Sequence, residues 1–168
     1  MTTERQTGHD DGSPPRSRPR GAAFLLSQVG AHAAARFTER IGVLGMTPAD
    51  AGLLRMIATR PGLSQRSLAG ELGVVPSRVV ALVDGLERKG LVERRRDPRD
   101  RRNHALHLAA EGTRVMTEMR ELAPAHEDEI CAALDDDQRT QLTALLQAIA
   151  TQQGLTPGVH PGYRRPSR

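Results

Sequence analysis

Six arginines fall within the ten residues ERRRDPRDRR, positions 93–102 of this chain. They are Arg94, Arg95, Arg96, Arg99, Arg101 and Arg102, set against three acids, Glu93, Asp97 and Asp100, so the run carries +3. A guanidinium is planar, always charged and presents a fork of N–H donors. It suits phosphate oxygens and the edge of guanine. A run that only solvates a surface has no need of so unbalanced a mixture. The segment Asp97-Pro98-Arg99-Asp100 has turn chemistry, because Pro and Asp favour tight reversals. Asp100 and Arg102 then sit on one side, where the carboxylate can orient the guanidinium. The chemistry implied is attraction to a polyanion by a basic hairpin that can enter a groove.

A hairpin needs strands, and a reading surface needs something to hold it. Leu91-Val92 leads into the first strand, and in the return strand His104, Leu106 and Leu108 point to one face by period two. Upstream, Pro76 opens a helix whose core stripe is Val79, Leu82, Val83 and Leu86, closed by Gly90. Its other face carries Pro76, Ser77, Arg78 and Ala81 near the N-terminal end. That end bears free N–H groups and partial positive charge. There Arg78 is placed to reach a guanine edge and Ser77 a phosphate or base, while Ala81 is small enough to let the helix sink. A shorter helix precedes it, opened by Leu63-Ser64 with Ser64 as cap. Its inward residues are Leu68, Ala69 and Leu72, and Gly73 ends it in the left-handed conformation. Two short helices joined by a tight Gly turn make a helix-turn-helix.

Further helices flank this unit. Leu26, Val29, Ala33, Phe37, Ile41 and Leu44 recur at steps of three or four, which predicts an amphipathic first helix. Thr47 caps a second helix with Pro48 at its first position and Asp50 at its positive end. Leu53, Leu54 and Ile57 are its buried face. A long helix is predicted from about 110 to 134, with Val115, Met119, Leu122, His126, Ile130 and Ala133 on one stripe and a bend at Pro124. A capping box at Asp135 to Gln138 opens a last helix with Leu142, Leu145, Leu146 and Ile149 apolar. The fold class is therefore mainly α with a small β-hairpin wing (α+β): a winged helix-turn-helix with N- and C-terminal amphipathic helices that so small a core could not bury fully, which makes them the expected dimerisation helices. The core spans about 46–110 and the dimerisation helices about 22–45 and 110–152. Residues 1–20 form a basic tail expected to be disordered, and so do 156–168.

The whole chain has 168 residues, a formal charge of +4, and 24 basic residues of which only Lys89 is not arginine. Only Phe24, Phe37 and Tyr163 are aromatic. Single-stranded nucleic acid is usually bound by stacking on aromatic platforms, so double-stranded DNA is the preferred partner. Cys131 is the sole cysteine, which excludes an intrachain disulfide or a multi-cysteine zinc site and fits a reducing cytoplasm. No stretch is apolar for long enough to span a membrane.

The stretch GLSQRSLAGELGVVPSRVVALVDGLERKGLVERRRDPRDRRNHALHLAAEG resembles the DNA-binding core of MarR-type transcription regulators. The specific parts are LVDGLERKGLVERRRDPRDRR and the following LHL-x-x-E-G. Where that family has Thr ahead of the long helix this chain has Ala109, a weaker cap. The resemblance implies a winged helix-turn-helix homodimer that reads pseudo-palindromic promoter DNA through two helices about one turn apart. It marks Ser64, Gln65, Arg66, Pro76, Ser77 and Arg78 as DNA contacts, with Arg99, Asp100, Arg101 and Arg102 at the wing tip; Arg94 and Arg96, from their place in the basic run, are read as further phosphate contacts. It further implies a repressor released by a small aromatic or lipophilic effector. Such a pocket would include His32, Arg36, Leu53 and His126, although a lone histidine in such a helix is more often a hydrogen-bonded core residue.

Relatives that sense oxidants use a cysteine in the first helix, and this chain has none there. Cys131 reads as a buried, inert thiol. His104 and His107 point to opposite faces of a strand and do not share a metal, so no metal and no cofactor are expected. Two other readings compete. One is a winged-helix protein-interaction module binding an acidic partner. The other is an enzyme, which lacks any Gly-rich phosphate loop, HExxH or G-x-S-x-G.

Overall fold

In a computed structural model, residues 21–96 and 104–159 are described. Each local stop signal takes effect. Thr47 Oγ1 accepts from the Asp50 N–H while the Asp50 carboxylate accepts from the Thr47 N–H, each at 3.1 Å. This reciprocal cap ends the loop after α1 (Ala22–Gly42) and starts α2 (Pro48–Thr59). Ser64 caps α3 (Gln65–Leu72), and Gly73 closes it at φ +62°. Then α4 runs Pro76–Arg88. Asp135 and Gln138 form the capping box of α6 (Asp136–Gln152). Ala109 precedes α5 (Ala110–Ile130) without any side-chain cap. Helix α5 continues through Pro124 and stops at Ile130, about one turn early, because residues 131–133 form a turn ahead of the Asp135 cap.

The sheet has three antiparallel strands in the order β1-β3-β2, where β1 is Leu63–Ser64, β2 is Val92–Arg96 and β3 is His104–Leu108. The two-residue strand β1 is too short to leave a periodic signature. It pairs Leu63 with Leu106 and Ser64 with Ala105, and β2 pairs Val92 with Leu108 and Arg94 with Leu106. Because β3 is central, Ala105 is buried as well as Leu106. Period two alone would bury only every second residue.

Leu53, Leu54, Ile57, Leu68, Leu72, Val79, Val83, Leu86 and Leu106 are fully enclosed. They join α2, α3, α4 and β3 in one core, and each such side chain contributes roughly 1.5–3 kcal/mol over its exposed state. Two polar ties brace this core. Lys89 Nζ donates to Gly45 O and to Asp50 Oδ2, each at 2.8 Å, fixing the end of α4 to the start of α2. Arg60 grips both carboxylate oxygens of Glu71, fixing α2 to α3. Burial pushes the Asp50 carboxyl up, but hydrogen bonds from Lys89 and Thr47 outweigh it and hold its pKa low.

The outer helices are different. Helix α6 has no buried residue, and Leu142, Leu145, Leu146 and Ile149 are exposed along it. At the start of α1, Phe24, Leu25, Leu26 and Val29 are exposed, and only Ile41 of that helix is buried. Residues 156–159, which composition assigned to the tail, form a turn. Val159 N–H donates to Thr156 O at 3.1 Å, and the Val159 side chain packs against the core. Among the described residues no helix is long and apolar enough to cross a membrane.

Candidate nucleic-acid interface

Helix α4 reaches the surface at its N-terminus. Val75 precedes it and offers no side-chain cap; Pro76 has no N–H and the Arg78 N–H donates to Val75 O at 3.0 Å, which leaves the Ser77 N–H for an outside acceptor among the described residues. Pro76, Ser77, Arg78 and Ala81 are all exposed there. Sequence reasoning missed two neighbours: Val75 is 65% exposed and Val80 40%. The signal was present as β-branched residues outside the core stripe. An apolar side chain at such a place suits the methyl group of thymine.

The residues ahead of α4 divide. Arg66 is exposed in the first turn of α3. Ser64 is occupied as the cap, its Oγ accepting from the Ser67 N–H at 3.1 Å and lying 2.9 Å from Ser67 Oγ. Gln65 is half-buried; with its amide carbonyl turned to Arg94, it accepts from Nε at 2.9 Å and from Nη2 at 2.8 Å.

The wing arginines also divide. Arg94 shares the face of β2 that carries buried Val92. Its guanidinium bonds Asp84 and Glu87 of α4 as well as Gln65, which leaves it 23% exposed. The structure thus gives Arg94 an internal use, whereas the sequence marks it as a DNA contact. Arg95 Nε donates to Glu93 Oε1 on its own strand at 2.8 Å. Arg96 is exposed at the end of β2. Among the described residues Arg66, Arg78 and Arg96 enter no ion pair. Arg99, Asp100, Arg101 and Arg102 lie outside the described residues.

The four residues suggested for an effector pocket do not converge. His32 is exposed and Leu53 is fully enclosed in the core. Arg36 Nε donates to Glu129 Oε1 at 2.6 Å, and Arg36 also pairs with Glu39. Hydrogen bonds from Arg36 and then Arg40 hold the Glu129 carboxyl down at about 2. His126 lies against Phe37, ring centroids 5.6 Å apart, and its Nδ1 is shielded from solvent without a hydrogen-bond partner among the described residues.

A cavity of about 420 Å³ opens beside them, walled by Phe37 of α1, Ala51 and Gly52 of α2, and Met116 and Met119 of α5. Arg55, Arg120 and Gly158 also line it. Arg55 donates to the Gly158 carbonyl. Gly158 holds φ +71°, and a Cβ there would lie 2.9 Å from Arg55 Nη2. No spacing rule points to this cavity, since it exists only where three helices and the C-terminal turn meet.

Cys131 is half-buried, not fully buried. Its Sγ donates to Glu127 Oε1 at 3.5 Å. Desolvation first, and then Glu127, raise the thiol pKa. Among the described residues no three His, Cys, Asp or Glu side chains gather as metal ligands.

Comparison with known proteins gives concordant matches. The model of the MarR family matches residues 44–103. A Thauera aromatica protein named for transcriptional regulation of the hcr operon is 36% identical over 113 residues, 67% of this chain and 68% of that protein. The solved structure of the transcriptional repressor CouR bound to a 23-mer DNA duplex superposes with a TM-score of 0.69. It is 32% identical, over 77% of this chain and 92% of CouR. Wild-type MarR from E. coli in its apo form has a TM-score of 0.68 at 22% identity, over 79% of this chain and 98% of that one, a likeness of fold.

Proposed function

The chain belongs to the MarR family of DNA-binding transcription regulators, and on that premise we propose that it works as a homodimeric repressor that an apolar effector releases from a pseudo-palindromic operator. The observation that carries this reading is the shared exposure of the α4 N-terminus and of the arginines around it, which enter no ion pair among the described residues. In this reading Ser77 holds phosphate through its hydroxyl and its N–H, and Arg78 reads a guanine edge. Val75 and Val80 touch thymine methyls. Arg66 and Arg96 supply phosphate contacts, as does the wing tip from Arg99 to Arg102. Acting on chromosomal DNA, the protein is proposed to work in the cytoplasm.

The dimer rests on α6. A 17-residue helix with no buried residue and a leucine-rich face is unstable facing water. A second copy covers that face, together with Phe24, Leu25, Leu26 and Val29 of α1. A two-fold axis then pairs the two α4 helices across an inverted repeat.

The effector reading moves from the four residues of the sequence to the cavity between α1, α2 and α5. Its volume lies in the range of small-molecule sites. It touches both the dimer helices and α2, which Arg60 and Lys89 tie to the reading helices.

Binding titrations of single variants test the DNA roles. Arg78→Ala should cost about 1–3 kcal/mol on a preferred duplex and relax one base position. Arg96→Ala should weaken all sequences alike. Equal loss for Arg78→Ala on preferred and random duplexes would refute the base-reading role. A protein-interaction module with an acidic partner would show neither pattern.

A further inference from the structure

We propose that Arg94, although it stands in the arginine-rich run, is a positioning residue that locks the wing to the reading helix and neutralises no phosphate. The guanidinium lies where three elements meet: α3 through Gln65, α4 through Asp84 and Glu87, and β2 through its own backbone. Strand alternation causes this. Val92 turns into the core, so Arg94, two residues on, turns toward the same side and meets the outer flank of α4. Asp84 and Glu87 stand three apart on that flank, one turn of helix, and present adjacent carboxylates. One planar group with five donors satisfies both carboxylates and the Gln65 carbonyl together.

The charges have a further consequence. Two acids on the reading helix of a DNA-binding protein repel phosphate. Arg94 offsets one of the two negative charges, so the cluster does not attract the duplex and its value is geometric. The angle between wing and α4 sets whether both reach their grooves at once. Neighbouring Arg96 has the same charge but no ion pair among the described residues, and it is the natural control.

Removing a carboxylate lifts repulsion in either case, so the two roles differ in what happens to discrimination between duplexes. If Arg94 were a phosphate contact, Asp84→Asn or Glu87→Gln would free it and remove repulsion, and binding would tighten. If Arg94 positions the wing, the same changes loosen the clamp, and discrimination falls. Lysine separates them again: it keeps the charge, but its compact ammonium cannot span three elements.

The experiment uses the full chain, a duplex enriched by the wild type from a random pool, and a random-sequence duplex of equal length. Affinities are measured by fluorescence anisotropy from 50 to 300 mM salt. We expect Arg94→Lys, Asp84→Asn and Glu87→Gln each to lose about three- to tenfold in preference for the enriched duplex. On the random duplex Arg94→Ala should keep the salt slope of the wild type, whereas Arg96→Ala should lower it by about one. Thermal melts report folding, and the milder Asp84→Asn carries the test if Arg94→Ala does not fold. The proposal is overturned if Arg94→Lys matches the wild type, if Asp84→Asn tightens the enriched duplex at least as much as the random one, or if Arg94→Ala lowers the random-duplex slope by about one. The random-duplex arm needs no operator, so a failure to enrich any sequence would strike the specific-reader account and leave this test intact.

Discussion

Gly112 sits in the first turn of α5, where a helix ordinarily favours alanine by about 1 kcal/mol. The structure reverses that preference. A Cβ on Gly112 would lie 1.9 Å from the carbonyl oxygen of Leu91 and 2.9 Å from its carbon. Both are backbone atoms in the buried link between α4 and β2, so no side chain can swing aside. Opening the gap to ordinary contact needs a shift of well over 1 Å. That shift also pulls apart the 3.0 Å hydrogen bond from Ala109 N–H to Leu91 O, which starts α5 in the absence of a side-chain cap. Overpacking at a rigid site costs about 3 kcal/mol at the upper end of its range. A weakened buried hydrogen bond costs about 1 kcal/mol. Set against the helix gain, Gly112→Ala should destabilise by about 3 kcal/mol, or lower the melting temperature by roughly 6–12 °C for a chain of this size. Gly70 is the control. It is helical and exposed, and a Cβ added there would meet nothing within 4 Å, so Gly70→Ala should stabilise by about 0.4–1 kcal/mol. Urea denaturation at fixed protein concentration, with both variants beside the wild type, gives the answer. A Gly112→Ala variant as stable as the wild type would refute the close-packing argument.

Three other outcomes are expected. Because the folded Glu129 carboxyl is held near 2 against an ordinary 4.5, its contribution is complete above pH 4.5 and lost as pH falls toward 2; melting curves of Glu129→Gln should show a shallower acid decline than the wild type over that window. Leu145→Glu places a charge on the exposed apolar face of α6 and should yield monomers at micromolar concentration in analytical ultracentrifugation, with the winged core still folded. The raised thiol pKa of Cys131 leaves little thiolate at neutral pH, so alkylation by iodoacetamide at pH 7 should run slower than that of free cysteine.

Much of this was legible because local chemistry and burial agree. The caps at Thr47, Ser64 and Asp135, the left-handed Gly73 and the stripe of Val79, Val83 and Leu86 each follow from a rule spanning a few residues. What escaped depends on contacts distant in sequence. Strand β1 is defined only by its partner β3. Arg94 looks like its neighbours along the chain, and only the α4 carboxylates across the fold give it another use. The cavity arises from the packing of α1, α2 and α5, so His32 and Leu53, chosen for type and helix position, fall outside it and inside the core respectively. Val75 and Val80 were readable as apolar residues off the stripe, but a stripe search looks inward and passes over them.

In the proposed function the protein reads one DNA sequence twice, as a dimer with two copies of α4. Selection of bound duplexes from a random pool, with the purified protein at near-physiological salt, tests it most directly. The account predicts enrichment of one inverted repeat whose half-sites lie about one helical turn apart. Salt-sensitive binding with no enriched repeat would contradict it, and would reduce the arginines to nonspecific attraction.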